Sequence, residues 1–405
     1  MNTSLSRARI TAIKLLILVL FPLLGMGIDL LAPSLPAISH NLQVSNTFSQ
    51  SSITLFLLGL AVGNPIVGFL SDAVGRKKIL LIGSFAFAVI SLLPALLPSI
   101  TVLLLIRFLQ GLSIASFNIT CRAVLTDILT QEEFTRFAPV MATMWGIGPI
   151  IGPVIGGYLQ FFFNWQACFY FFAAYGLIGF MMVCVILPET HTHPIPLNFK
   201  TIKNNTVAIS THTVFLGSAL LMALSFSLLI VFNTLGPFLV QVNFGHSAVY
   251  FGHVALWMGV SFLAGTLVCR QLLKKYSLAA IFPIILTFGF LVVVIGLASV
   301  YVWHENLKIF LYVSVAMFFA CGILYPMSLA KGIGYFRHIV GSASAIMNLI
   351  ILLITSLVTV LISLLNNISI PLIIQIYLAL MILICVSYAF LLHNLRFSER
   401  YSRNK

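Results

Sequence analysis

The stretch from Gln50 to Pro98 reads QSSITLFLLGLAVGNPIVGFLSDAVGRKKILLIGSFAFAVISLLPALLP. Two uncharged apolar runs, 50–70 and 79–98, stand on either side of a turn that holds Asp72, Arg76, Lys77 and Lys78. Each run has about the ~20 residues that an α-helix needs to cross a bilayer. The pattern predicts two membrane-spanning helices joined by a tight basic turn. Gly68 and Gly75 permit close backbone approach or a positive φ. Asp72 is expected to stabilise a helix N-terminus by capping and by charge.

The same pattern extends in both directions. Apolar runs are predicted to span at 12–32, 50–70, 79–98, 101–123, 138–160, 166–187, 213–240, 249–270, 280–302, 308–330, 339–364 and 371–393, twelve in all. Hydrophobic residues make up 60% of the 405, charged residues only 7%, and the mean hydropathy is +1.12. Soluble domains carry about 25% charged residues, so this composition cannot build a water-soluble surface. The short connections leave no room for a soluble enzymatic domain, and no acid, histidine and nucleophile group within the spans. The expected class is an all-α membrane protein that is not an enzyme.

The longest polar interval, Pro188 to His212, divides the spans six and six. The expected organisation is a bundle over 1–188, a cytoplasmic linker over 189–212 and a second bundle over 213–405. Gly68, Leu70, Lys77 and Lys78 recur in order as Gly265, Leu267, Lys274 and Lys275. Such repeats imply two related halves with a substrate site between them near mid-membrane.

A net charge of +13 and a pI near 9.7 would suggest nucleic acid in a soluble protein. Position excludes that partner. Of 21 Lys and Arg, all but Arg107 and Lys308 fall at the face opposite the first predicted outer loop. This is the positive-inside pattern, by which both termini are expected in the cytoplasm; the expected location is the cell's inner membrane. The N-terminal apolar stretch runs on through IDLLAPSLPAI without a small-residue cleavage pattern, so it is expected to stay as the first span. The six cysteines lie in apolar segments at no metal-like spacing and are expected to pack as small hydrophobes. His191 and His193 resemble a metal pair only by spacing, and His253 is expected to be a satisfied core residue. Neither a metal nor a cofactor is expected.

Among the acidic residues only Asp29 lies within an apolar span, and an intramembrane carboxylate is a functional candidate by default. Arg107, in the fourth span, is its cationic counterpart at a similar depth. At 100° per residue Gln110, Asn118 and Arg122 share a stripe with Arg107, which is expected to face a cavity or another helix rather than lipid. Gln110, Asn118, Asn233 and Asn348 are the candidate cavity residues. In the fifth span Gly148, Gly152 and Gly156 repeat every four residues and form a bare ridge against which a neighbouring helix can pack closely. Pro149 and Pro153 each remove a backbone donor from that helix.

The turn GFLSDAVGRKK resembles the G-x-L-a-D-r-x-G-r-k signature of the major facilitator superfamily, at Gly68, Leu70, Asp72, Gly75, Arg76 and Lys77, with Ala73 in place of the usual arginine. LLLIRFLQG, from Leu103 to Gly111, is similar to the l-x-x-x-R-x-x-q-G motif of the same superfamily, whose arginine is tied to proton coupling. GPIIGPVIGG, which begins at Gly148 and ends with Gly156 and Gly157, resembles its antiporter motif, which marks exporters. DLLAPSLPAI from Asp29 and GPFLVQ from Gly236 look like the Bcr/CflA branch of twelve-helix drug/proton antiporters. The resemblance implies a monomeric exporter of small amphipathic molecules driven by inward proton flow. Asp29 would be the protonation site, Arg107 its modulator, and the basic turn the conformational switch. A dedicated exporter of a native metabolite, such as a siderophore or an amino acid, fits the same motifs, and an uptake symporter fits them less well.

Overall fold

The computed structural model describes residues 6–191, 199–303, 306–365 and 367–403; His193, Glu305, Lys405 and positions 192–198 of the expected linker lie outside them. The first apolar stretch forms α1 (Arg7–Leu20), α2 (Pro22–Asp29) and α3 (Leu35–Asn41). It is followed by α4 (Asn46–Val74), α5 (Arg76–Leu96), α6 (Ile100–Ile128), α7 (Gln131–Phe162) and α8 (Gln166–Ile186). After α9 (Phe199–Ser210) come α10 (Thr213–Phe238), α11 (Ala248–Leu272), α12 (Leu278–Trp303), α13 (Leu307–Ile333), α14 (Val340–Ser363) and α15 (Ile370–Arg403).

Eleven helical stretches among the described residues are long and apolar enough to cross a bilayer, with α1 to α3 counted as one. The twelfth expected span, 138–160, falls within α7. That helix has 32 residues. Its start is fixed by a reciprocal cap in which the Glu133 N–H donates to Thr130 Oγ1 at 3.2 Å and the Thr130 N–H to Glu133 Oε2 at 3.0 Å. These donors hold the Glu133 carboxyl below its usual range.

The first span departs from the continuous helix expected over 12–32. Pro22 has no N–H to offer the preceding turn, and α1 stops at Leu20. The carbonyl that Pro22 leaves without its helical donor is that of Leu18, four residues earlier. At the next residue the Val19 carbonyl accepts the hydroxyl of Tyr175 on α8, and in a layer without water such side-chain donors help to satisfy the backbone near a break. A second break follows Asp29, where Pro33 sits in a single 3₁₀ turn, Ala32–Ser34, before α3.

The helices group into two compact units, the first holding α1 to α8 with His246–His253, the second holding α9, α10, the rest of α11 and α12 to α15. Within the first, α4 and α6 cross with their backbones in contact: a Cβ on Gly59 would lie 2.0 Å from the Phe108 carbonyl oxygen, and one on Gly111 2.1 Å from that of Phe56. In the second, α11 and α13 cross in the same way, with 2.2 Å both from Gly265 to the Phe319 oxygen and from Gly322 to the Phe262 oxygen. Of the two glycines matched by the sequence repeat, Gly265 makes this contact, whereas in the first unit Gly59 makes it in place of Gly68. Gly68 itself has room, since its Cβ would meet Ile119 at an ordinary 3.7 Å.

The α4–α6 crossing sets the position of Arg107, so its tolerance can be measured. Gly111→Ala is expected to force the two backbones apart at a cost of about 1–3 kcal/mol. The midpoint of thermal unfolding in detergent should fall by roughly 2–8 °C. An unchanged midpoint would mean that the crossing is looser than its geometry.

Candidate functional site

Arg107 is 0% exposed, so every donor of its guanidinium must find an acceptor inside the protein. Nη2 donates to the Gly27 carbonyl at 2.6 Å, Nε to the Ser52 carbonyl at 3.2 Å, and Nη1 to Gln110 Oε1 at 3.1 Å. The guanidinium also lies 4.2 Å from the centre of the Phe56 ring, a cation–π distance. Gln110 passes the network on, since its Nε2 donates to Ser91 Oγ at 2.7 Å. Helices α2, α4, α5 and α6 thus meet at one buried cation.

The break after α2 explains why Gly27 can serve. Its carbonyl lies in the last turn of α2, where carbonyls lack partners along the helix and carry the negative end of the helix dipole. Asp29 stands in the same turn, is 3% exposed and interacts electrostatically with Arg107. The sequence placed Asp29 and Arg107 at similar depth. The fold adds the carbonyls of Gly27 and Ser52, which hold the arginine whatever the state of the carboxylate.

The polar stripe on α6 divides. Gln110 is fully buried, with both ends of its amide engaged in the Arg107 network. Further along, Asn118 Nδ2 donates to Asn64 Oδ1 of α4 at 3.1 Å. Arg122 is exposed. In the second unit Asn233 of α10 is buried and Asn348 of α14 half-buried. Phe56, Ser91 and Ser52 were not singled out in the sequence. An aromatic and two serines within an apolar span give no signal until α4, α5 and α6 are placed around Arg107.

At the basic turn Gly75 adopts φ +111°, which favours glycine. Arg76 pairs with Asp72, donates through Nη1 to Ser71 Oγ at 2.7 Å, and through Nε to Asp127 Oδ2 of α6 at 3.2 Å. Asp72 does not cap the following helix as expected. It belongs to the last turn of α4, and its carboxylate is turned to the Arg76 side chain four residues on. The cap comes from Glu189, beyond α8, which accepts from the Arg76 N–H at 2.8 Å and the Lys77 N–H at 3.2 Å.

The bare ridge of α7 packs on α2. A Cβ on Gly148 would lie 2.3 Å from the Pro22 oxygen, on Gly152 3.3 Å from the Leu30 nitrogen, and on Gly156 1.8 Å from the Leu30 oxygen. Pro149 fits against Gly25, whose Cβ would lie 2.2 Å from the proline ring. Gly157, and the Pro153 carbonyl, face the first turns of α11, at Ala248 and Gly252. The ridge therefore seats the short helical piece that ends in Asp29.

The family model described as Major Facilitator Superfamily matches residues 17–359. A bicyclomycin resistance protein homolog from Haemophilus influenzae is 28% identical over 267 residues, 65% of this chain and 67% of that protein. The chloramphenicol resistance protein CraA from Acinetobacter baumannii is 27% identical over 311 residues, 76% of this chain and 74% of that one. The crystal structure of a D-xylose-proton symporter superposes with a TM-score of 0.74 at 12% identity, covering 93% of this chain and 97% of the symporter; at that identity the likeness concerns the fold alone.

The unequal spacing along the ridge gives a graded expectation. Gly152→Ala needs a shift of only a few tenths of an ångström and should keep near-normal stability and transport. Gly156→Ala drives a methyl into the Leu30 carbonyl and should cost about 1–3 kcal/mol, with a matching loss of transport. Equal behaviour of the two variants, both inserted at normal levels, would show that α2 is not seated on this ridge.

Proposed function

The chain belongs to the major facilitator superfamily of secondary transporters, and we propose that it exports small amphipathic molecules in exchange for protons. The observation that carries this reading is the seating of α2 on the antiporter-motif ridge of α7, with Asp29 and the partner carbonyl of Arg107 in the same last turn. The names of the relatives, which concern resistance to bicyclomycin and chloramphenicol, support drugs as the substrate class.

In this reading Asp29 exchanges a proton in each cycle. With the carboxylate ionised, the last turn of α2 presents a full negative charge beside the guanidinium in addition to its carbonyl. Protonation removes that charge and leaves Arg107 on its neutral acceptors at Gly27, Ser52 and Gln110. The attraction between α2 and α6 weakens. Because α2 lies in backbone contact with α7, the change reaches both neighbours at once. The Arg76 turn is the switch through which the halves alternate. The distribution of Lys and Arg supports a cytoplasmic position for that turn and for both termini, in the cell's inner membrane. The working unit is a monomer.

Proteoliposomes with an imposed proton gradient test this, with chloramphenicol and bicyclomycin as probes. The wild-type protein should move protons when either drug is added. Asp29→Asn should lose gradient-driven transport by at least about tenfold, equivalent to ~1.4 kcal/mol or more in the coupled step, while still binding the drug. Full gradient-driven transport by that variant would remove Asp29 from the mechanism. If neither drug elicited proton movement, in a wild-type protein shown to be folded, the drug class would be refuted.

A further inference from the structure

We propose that Glu189 is the positioning residue of the switch, a carboxylate from beyond α8 that holds the start of α5 so that Arg76 reaches Asp72 and Asp127 together. The inference rests on the reading of the Arg76 turn as the switch. It assigns a role to a residue far from that turn in sequence.

The first N–H groups of a helix have no partners within it, and negative charge is stabilised there. At α5 those of Arg76 and Lys77 are taken by the two oxygens of one carboxylate, Oε1 at 2.8 Å and Oε2 at 3.2 Å. Oε1 also accepts the N–H groups of Thr190 at 3.0 Å and His191 at 3.1 Å, so the chain leaving α8 is wrapped around the same group. Two further bonds fasten this contact: Lys77 Nζ donates to the Cys184 carbonyl at 3.1 Å, and Thr190 Oγ1 to Asp127 Oδ2 at 3.1 Å. That aspartate oxygen is the one that accepts from Arg76 Nε.

Gly75 fits this contact twice over. Its φ of +111° is unfavourable for other residues, and a Cβ there would stand 2.6 Å from Glu189 Oε2. The backbone of Arg76 is thus held by Glu189 and its side chain by Ser71, Asp72 and Asp127. Without the carboxylate the first turn of α5 is free to fray, and the guanidinium is no longer delivered to both aspartates. A change at Asp72 or Asp127 acts on Arg76 directly. A change at Glu189 acts through the backbone.

Spin-label distances between the two halves, read as a ratio of conformers while pH is changed, test this without any substrate. Arg76→Ala and Asp72→Ala should move that ratio away from the conformer with these contacts by about tenfold. Glu189→Gln keeps one acceptor oxygen but puts an amide donor opposite a backbone donor, and should move the ratio in the same direction by a similar factor. The double variant Glu189→Gln with Arg76→Ala should match Arg76→Ala alone within about twofold, because the two residues act as one unit. Thr190→Ala, a milder cut in the same contact, should give a smaller shift that Arg76→Ala also absorbs, and it carries the test if Glu189→Gln folds poorly. A ratio left unchanged by Glu189→Gln and Thr190→Ala, beside a shift in Arg76→Ala, would overturn the role of Glu189 alone, as would independent, multiplying shifts. No shift in Arg76→Ala or Asp72→Ala would overturn the switch reading, and Glu189 with it.

Discussion

A guanidinium without access to water has to be met by acceptors, and most of the first unit is arranged around that requirement at Arg107. Breaking the pairing of a buried charge costs about 3–5 kcal/mol, so the groups around it are fixed together or not at all. The acceptors come from α2, α4 and α6, and the aromatic face from α4. The backbone contact of α4 with α6 at Gly59 and Gly111 is what brings the Ser52 carbonyl and Phe56 within reach. The interruption of the first span supplies the remaining acceptor, a carbonyl at the end of a short helix.

That interruption is a liability in a bilayer, where a freed backbone group finds no solvent. The structure meets it from several sides. Tyr175 takes the Val19 carbonyl at the first break, Arg107 takes that of Gly27 before the second, and the ridge of α7 presses against the piece between them. A helix broken in this way responds to charge more readily than a continuous one, because its last turn carries dipole and carboxylate in one place. The buried carboxylate of Asp29 and the close packing against α7 are therefore found together in α2 and the residue that follows it.

At the basic turn a second arginine follows a related logic nearer to water. Arg76 stands among three carboxylates, Asp72, Asp127 and Glu189, of which the first two meet its side chain and the third its backbone. The Asp72 side chain is 45% exposed, against 8% for Arg76, so solvent weakens that pair and the outcome depends on the whole cluster. The expectation that Asp72 caps α5 was local reasoning from a turn motif. Glu189 displaced it because a carboxylate arriving from outside the turn can face both free N–H groups at once.

The sequence alone determined that this chain lies in a membrane, since 7% charged residues cannot cover a soluble protein of this length. The spans and the asymmetry of Lys and Arg followed, because crossing a bilayer is a constraint on composition over about 20 residues and needs no tertiary contact. Asp29, Arg107, Asp72 and the glycine ridge were legible because a charge or a bare backbone is conspicuous in an apolar run. Their partners were not. Phe56, Ser52 and Ser91 are ordinary residues for a membrane helix, and Glu189 looks like any loop carboxylate. Pro22 within the run from residue 12 to residue 32, and Pro33 just beyond it, were the local signs of a break on either side of α2, but not of what the broken ends would meet. Which helix covers the ridge, which carbonyl meets Arg107 and which carboxylate caps α5 are matters of distance between segments far apart in sequence, and only the packed helices decide them.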